Sequence, residues 1–142
     1  MHLPLRCTLT ANTADTRREV PITEAITVED AGKLDIDHVV PLPEAWESGT
    51  SAWTVEQRVA YANDLQAVHH LMAVTACGNR QKADRDVADR LPHQEPIRCR
   101  YIAEWTAIRH RRQLSVDARE KQALVSITVS CPDLPLDAQP AV

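Results

Sequence analysis

The chain has 142 residues, 44% of them apolar, and a net charge of −4 at pH 7. This length suffices for one globular domain, which we expect over residues 1–131, followed by a flexible tail over residues 132–142 with several prolines. No apolar run approaches the roughly 20 residues of a membrane span, so no membrane partner is predicted. The acidic balance argues against strong non-specific binding to DNA.

The N-terminal part is predicted to be strands. Residues 6–10 and 25–28 alternate loosely between apolar and polar side chains, which favours a β-ribbon. No basic start followed by a long apolar stretch marks a signal peptide.

Residues 34–42, LDIDHVVPL, predict a short strand that ends near Pro41. The carboxylate of Asp37 directly precedes the imidazole of His38. Neighbouring side chains on a strand point to opposite faces, so the two can serve one site only if the backbone bends there. A bent strand end of this kind suits a base placed beside a metal ion.

A helical insert is predicted after this strand. Residues 43–48 favour a short helix closed by Gly49, and residues 54–63 favour a second helix that opens with a capping box. The aromatic side chains of the insert are expected in the core: Trp46, Trp53 and Tyr61.

Residues 69–84, HHLMAVTACGNRQKAD, predict a second strand, a turn of small residues and the start of a polar helix. Beyond this helix, a longer helix is expected over about residues 98–113. A last helix should run to about residue 129, opened by a capping box at Asp117 and Glu120.

The segments DHVVPL, AND, HLMAV and NRQKAD occur in this order within residues 33–131. Their order and spacing resemble the HNH (His-Me finger) endonucleases, and most of all the DUF1524/GmrSD C-terminal type. The resemblance implies an α+β fold: a ββα-metal (His-Me) finger over about residues 33–90, with an N-terminal β-ribbon and flanking C-terminal helices. It also implies secretion. Since no signal peptide is visible, a trimmed secreted protein and a cytoplasmic variant both stay open.

Phosphodiester hydrolysis needs an attacking water, a base and a cation near the scissile phosphate. An imidazole titrates near neutral pH, so His38 is the natural base, and the oxygens of Asp37 and Asn79 suit Mg²⁺ or Mn²⁺. By resemblance, Asp37 and Asn79 are the metal ligands, His70 orients the base, and Lys82 lies near phosphate or braces the loop. Plainer roles stay open: a helix cap for Asn79, a packed core histidine for His70 and a surface lysine for Lys82.

The four cysteines contain no C-x-x-C pair, so a zinc ribbon is not predicted. By resemblance, Cys99 and Cys131 form a disulfide between the C-terminal helices, worth about 3–4 kcal/mol. Cys7 and Cys77 are expected as free thiols, with a bridge between them as the alternative. Four reduced cysteines is a further alternative.

Positive charge is concentrated in one block. Residues 80–121 hold 11 basic and 7 acidic side chains, whereas residues 1–79 hold 5 and 11. The block begins with the finger helix, and its basic residues are candidates to contact phosphates: Arg80, Lys82, Arg85, Arg98, Arg100, Arg109, Arg111 and Arg112. No base-reading cluster stands out, so little sequence specificity is expected.

These features predict a metal-dependent endonuclease that nicks DNA, with RNA open as an alternative substrate. One rival is a catalytically silent nucleic-acid-binding or assembly module. It is favoured by the loop at residues 83–90, which departs from the family pattern and has Ala83 in place of a common glycine. The other rival is a metallohydrolase of small phosphoesters or a phospholipid-directed toxin domain, against which the basic block argues.

Overall fold

The computed structural model describes residues 30–67, 69–92, 94–133, 136 and 138–141. The predicted N-terminal β-ribbon lies outside these residues, as does Cys7. Within them the chain has a mixed α+β fold, and no helix is long and apolar enough to cross a membrane.

In the described residues, two antiparallel strands form the sheet. Strand β1 (Leu34–His38) pairs with strand β2 (Leu71–Thr75), in a register that places His38 opposite Leu71. The predicted first strand therefore ends earlier than residue 42. One further backbone hydrogen bond, from Val39 N–H to the carbonyl of His70 (3.1 Å), continues the pairing before Pro41 begins the next helix.

The described part of the chain has five α-helices. They are α1 (Leu42–Glu47), α2 (Val55–Ala62), α3 (Ala76–Lys82), α4 (Glu95–Arg111) and α5 (Ala118–Thr128). Of these, α3 packs against both strands. Short 3₁₀ turns occupy Ala31–Lys33 and Thr50–Ala52. These bounds confirm the predicted order of strands and helices to within a few residues.

The predicted helix ends are confirmed in two places and corrected in a third. Gly49 follows α1 with φ of 124°, a conformation that favours glycine, and both hydrogen bonds of the capping box open α2. At α5, Asp117 accepts from the backbone N–H of Glu120, but the Glu120 carboxylate turns away from the cap. It is buried and accepts from the indole N–H of Trp105 instead.

The core gathers around α4, where Trp105 is fully buried. Of the insert's aromatic residues, Tyr61 is buried and Trp53 is partly buried against the core. The prediction of a buried Trp46 is wrong, because 50% of this residue is exposed. On the six-residue helix α1 the buried side chain is Ala45, and the next residue projects about 100° away from it.

The predicted disulfide between Cys99 and Cys131 is confirmed and joins α4 to the end of α5. Cys77 is also disulfide-bonded, so the expectation of a free thiol there is wrong. Cys99 and Cys131 lie 32 positions apart in the chain. A disulfide that closes a loop of this length stabilises the fold by about 3–4 kcal/mol.

Three of the predicted phosphate-binding arginines are instead held in ion pairs, and two of them, Arg109 and Arg111, are buried. At the end of α4, Arg109 contacts Glu44, while Arg111 and Arg112 share the carboxylate of Asp64. Burial raises the pKa of Asp64, but the hydrogen bonds from the two arginines outweigh it and hold that pKa well below its usual range. The charge count could not reveal this, because the acidic partners lie more than 40 positions earlier in the chain.

Candidate active site

A cleft of about 310 Å³ lies where the end of β1 meets α3. Three residues singled out in the sequence line it together, namely Asp37, His38 and Asn79, although Asn79 is about forty positions from the other two. Arg80 lies on the same wall and is exposed to solvent. His70 and Lys82, the other two predicted site residues, do not line the cleft but contact residues that do.

Lys82 fixes the end of strand β1. Its ammonium group donates to Oδ2 of Asp37 (2.6 Å) and to the backbone carbonyl of His38 (2.6 Å), and only 3% of the residue is exposed. Burial lowers the pKa of Lys82, an effect that the negative charge of Asp37 opposes. This geometry favours the bracing role over direct contact with phosphate, because the ammonium is enclosed between two protein oxygens.

Asn79 is oriented by a residue that the sequence reasoning missed. Its side-chain Nδ2 donates to Oδ2 of Asp35 (3.0 Å). An ionised carboxylate only accepts hydrogen bonds, so the amide nitrogen must face Asp35 and Oδ1 is left for the cleft. The available signal was the D-x-D spacing: residues two apart on a strand share a face, which puts Asp35 beside Asp37 and towards α3.

On the other face of β1, the His38 ring is held by the end of α2. Its Nε2 lies 2.8 Å from the backbone carbonyl of Ala62. A carbonyl can only accept, so Nε2 carries the proton and Nδ1 of the neutral ring keeps its lone pair. Ala62 is the last residue of α2, where carbonyls lack partners in the helix and the helix dipole is negative.

His70 supports His38 from within the core. It is 1% exposed, its Nε2 donates to the carbonyl of Tyr61 (2.7 Å), and its ring meets that of His38 edge-on with centroids 5.3 Å apart. Burial lowers the pKa of His70 to about 4, with a smaller contribution from His38. His70 is therefore neutral at pH 7 and packs behind the cleft.

The remaining predicted phosphate contacts are spread over the surface. Arg85 is exposed beyond α3, and Arg98 donates to the carbonyl of Pro92 (3.2 Å). Arg100 pairs with Glu104 (2.9 Å) along α4 and contacts the His69 ring (2.9 Å). None of these three arginines lines the cleft, whereas Arg80 does. Arg80 is therefore the predicted arginine best placed to contact a phosphate there.

The cleft has side chains that could hold a metal ion. In the part of the chain that the structure describes, no three His, Cys, Asp or Glu side chains are grouped to hold an ion. The cleft instead offers two carboxylates, from Asp37 and Asp84, and one amide oxygen, from Asn79. These hard oxygens fit Mg²⁺ or Mn²⁺, which prefer oxygen ligands and keep several waters.

Comparison with known proteins identifies the family of the chain. The family described as GmrSD restriction endonucleases, C-terminal domain, matches residues 5–127. The chain belongs to this family. The resemblance noted from the sequence motifs is thereby confirmed.

A curated relative of this GmrSD domain comes from Arthroderma benhamiae and is described as an "Uncharacterized secreted protein". The two are 41% identical over 101 residues, which cover 71% of this chain and 49% of the relative. The chain thus spans about half the length of that relative. No solved structure matches the chain.

Proposed function

We propose that this GmrSD domain is a divalent-metal-dependent endonuclease of the HNH (His-Me finger) type that nicks DNA with little sequence specificity. The observation that carries the proposal is the convergence of Asp37, His38 and Asn79 on one cleft. The succession of β1, β2 and α3 supports the assignment of a ββα-metal finger, because α3 follows β2 directly and meets β1 through two side-chain pairs.

His38 is the proposed general base. Nε2–H is held by the carbonyl of Ala62, so Nδ1 would take the proton from the attacking water. The ring becomes positively charged in this step, and the negative end of the α2 dipole stabilises that charge. His70 acts as a positioning residue, since it fills the space behind the His38 ring without presenting a charge of its own.

Asp37 and Asn79 are the proposed metal ligands. When bound, the ion would supply Lewis-acid stabilisation of the charge on the leaving oxygen. Lys82 holds Oδ2 of Asp37, and Asp35 holds the Asn79 amide nitrogen, so both proposed ligands are fixed in place. Arg80, exposed on the same wall, would contact a phosphate of the bound strand.

Secretion is proposed from two observations. The Arthroderma relative is described as secreted, and this chain contains the Cys99–Cys131 disulfide. Such bridges persist in oxidising compartments and are rare in the reducing cytosol.

Conversion of supercoiled plasmid to nicked circles in Mg²⁺ or Mn²⁺ tests the proposed activity. We expect His38→Ala to slow nicking by at least a hundredfold, since a general base contributes about 10²–10⁴ to a rate. His110→Ala is the matched control, because His110 is an exposed histidine of α4 that does not line the cleft.

Two results would contradict this assignment. If the unaltered protein and His38→Ala both bind DNA without cutting it, the silent binding module would be favoured. The unusual loop after α3 is the feature that supports this alternative. Faster hydrolysis of a small chromogenic phosphodiester than of DNA would favour a small-molecule phosphoesterase.

A further inference from the structure

A second depression lies beside the cleft and is mostly apolar. Helices α1 and α2 form its walls and enclose about 320 Å³. Four large apolar side chains that line it are exposed to solvent by 43–61%: Leu42, Trp46, Val55 and Val59. We call this depression the Trp46 groove. A contiguous group of exposed apolar side chains often marks a binding surface, whereas single exposed apolar residues are ordinary.

The Trp46 groove adjoins the cleft of the candidate active site. Leu42 lines both of them. Ala62 also lines the groove, and its carbonyl is the group that accepts from His38 Nε2 at 2.8 Å. A molecule whose phosphate occupies the cleft would therefore have its neighbouring groups at the mouth of the groove.

The groove also has the side chains that stack on flat rings and attract phosphates. The guanidinium carbon of Arg58 lies 5.3 Å from the centre of the Trp46 ring. Its NH1 donates to the carbonyl of Trp53 (2.5 Å), which fixes the positive charge at the groove wall. Tryptophan rings and guanidinium planes are the surfaces on which unpaired bases stack in proteins that bind single strands.

We propose that the Trp46 groove binds an unpaired nucleobase next to the phosphate held in the cleft, so that single-stranded DNA is the preferred substrate. This inference rests on the proposed nuclease function. A base inside a duplex is stacked on both sides and must leave the stack to reach Trp46, at a cost of a few kcal/mol. A base in a single strand enters the groove without that cost.

Binding can be separated from cutting in the His38→Ala protein. The probe is a fluorescein-labelled oligothymidylate, compared by anisotropy with a blunt hairpin of equal phosphate number. We expect Trp46→Ala to weaken single-strand binding about tenfold and hairpin binding less than twofold, as loss of one stacked base would. Trp46→Phe should keep most of the affinity. Val125→Ala, at an exposed position of α5, is the control and should change neither.

A second measurement needs no destabilising substitution. Stacking of thymine on Trp46 should quench the tryptophan fluorescence of the His38→Ala protein, and Trp46→Phe should remove that part of the quenching. Equal weakening of both probes by Trp46→Ala, or no weakening and no quenching, would overturn the groove proposal. A change of oligomeric state in Trp46→Ala would overturn it too, because a second copy would then be the occupant.

The two proposals fail separately. If His38→Ala nicks plasmid as fast as the unaltered protein, the proposed function fails while oligothymidylate binding still reports on the groove. If His38 is required and Trp46→Ala binds both probes normally, the groove proposal alone fails.

Discussion

The two faces of strand β1 are supported by opposite kinds of contact. On the face towards α3, each acid has a polar side-chain partner: Asp37 pairs with the buried ammonium of Lys82, and Asp35 accepts from Asn79. On the face towards α2, His38 contacts a backbone carbonyl and an uncharged ring. Polar side-chain contacts therefore fix the position of the proposed metal ligands, whereas neutral dipoles and packing fix the tautomer and orientation of the proposed base.

The largest effect is expected on the charged face. Lys82→Met should lower the free energy of unfolding by about 3–5 kcal/mol, because it leaves a carboxylate at the strand end without its counter-charge. Urea denaturation in the presence of a chelator measures this. Lys121→Met, at an exposed lysine of α5, should change stability by less than about 0.5 kcal/mol. Similar small changes in both variants would show that the pair does not hold the strand end.

On the neutral face, acid should weaken the fold through His70. Its pKa is about 4 in the folded protein against an ordinary value of 6.5, so between these values the unfolded chain binds a proton that the folded chain does not. His70 alone therefore makes stability rise with pH across this window, by about 2 kcal/mol from pH 5 to pH 7. Asp64 does not interfere above pH 5, since the arginine contacts hold its pKa well below its usual range and its contribution is lost only at lower pH.

Urea denaturation at pH 5 and pH 7 measures this difference. His70→Asn cannot take up the proton and should reduce the pH dependence by about 2 kcal/mol. The exposed control His110→Asn should keep the pH dependence of the unaltered protein. An unchanged dependence in His70→Asn would mean that His70 is not held neutral by its burial.

The sequence predicted some contacts of these two faces and missed others. The motifs predicted a site from Asp37, His38 and Asn79, and these three residues line one cleft. Strand and turn patterns are local, and the family resemblance supplied the long-range contact. The motifs did not reveal Asp35, whose partner is 44 positions away, or the backbone carbonyl of Ala62, which no side-chain motif records.

The charge pattern was misleading for a related reason. A run of basic residues gives the local balance, but the partners that bury Arg109 and Arg111 come from α1 and from just beyond α2. For Trp46 the error is the reverse. Its aromatic side chain was predicted to be buried in the core, and the residue is half exposed. Both errors arise where tertiary contacts, and not local pattern, decide burial.

A smaller effect is expected from a change that disturbs the orientation of the Asn79 side chain and leaves the residue in place. Asp35→Asn replaces an acceptor by a group that can donate or accept, so the Asn79 amide loses its fixed direction. We expect the dissociation constant of Mn²⁺, measured by calorimetry, to rise about tenfold, as for other residues that orient metal ligands. The Mn²⁺ concentration for half-maximal nicking should rise in parallel. Asp133→Asn, exposed beyond α5, is the control.

If Asp35→Asn slowed nicking and left Mn²⁺ affinity unchanged, Asp35 would not act through the proposed ligand. Its contact with Asn79 would then contribute only to the packing of α3 against β1.

The smallest effect concerns the residue that ends α3 beside the cleft. Ala83 has φ of 49° and ψ of −137°, a region that glycine enters freely and alanine does not. Ala83→Gly should therefore raise the free energy of unfolding by about 1 kcal/mol, the relieved strain being partly offset by the larger entropy of glycine in the unfolded chain. The same change at Ala103, inside α4, should lower it by about 1 kcal/mol. Opposite signs for one chemical change would assign the effect to backbone conformation, and a loss of stability in both would show that the turn after α3 tolerates alanine without strain.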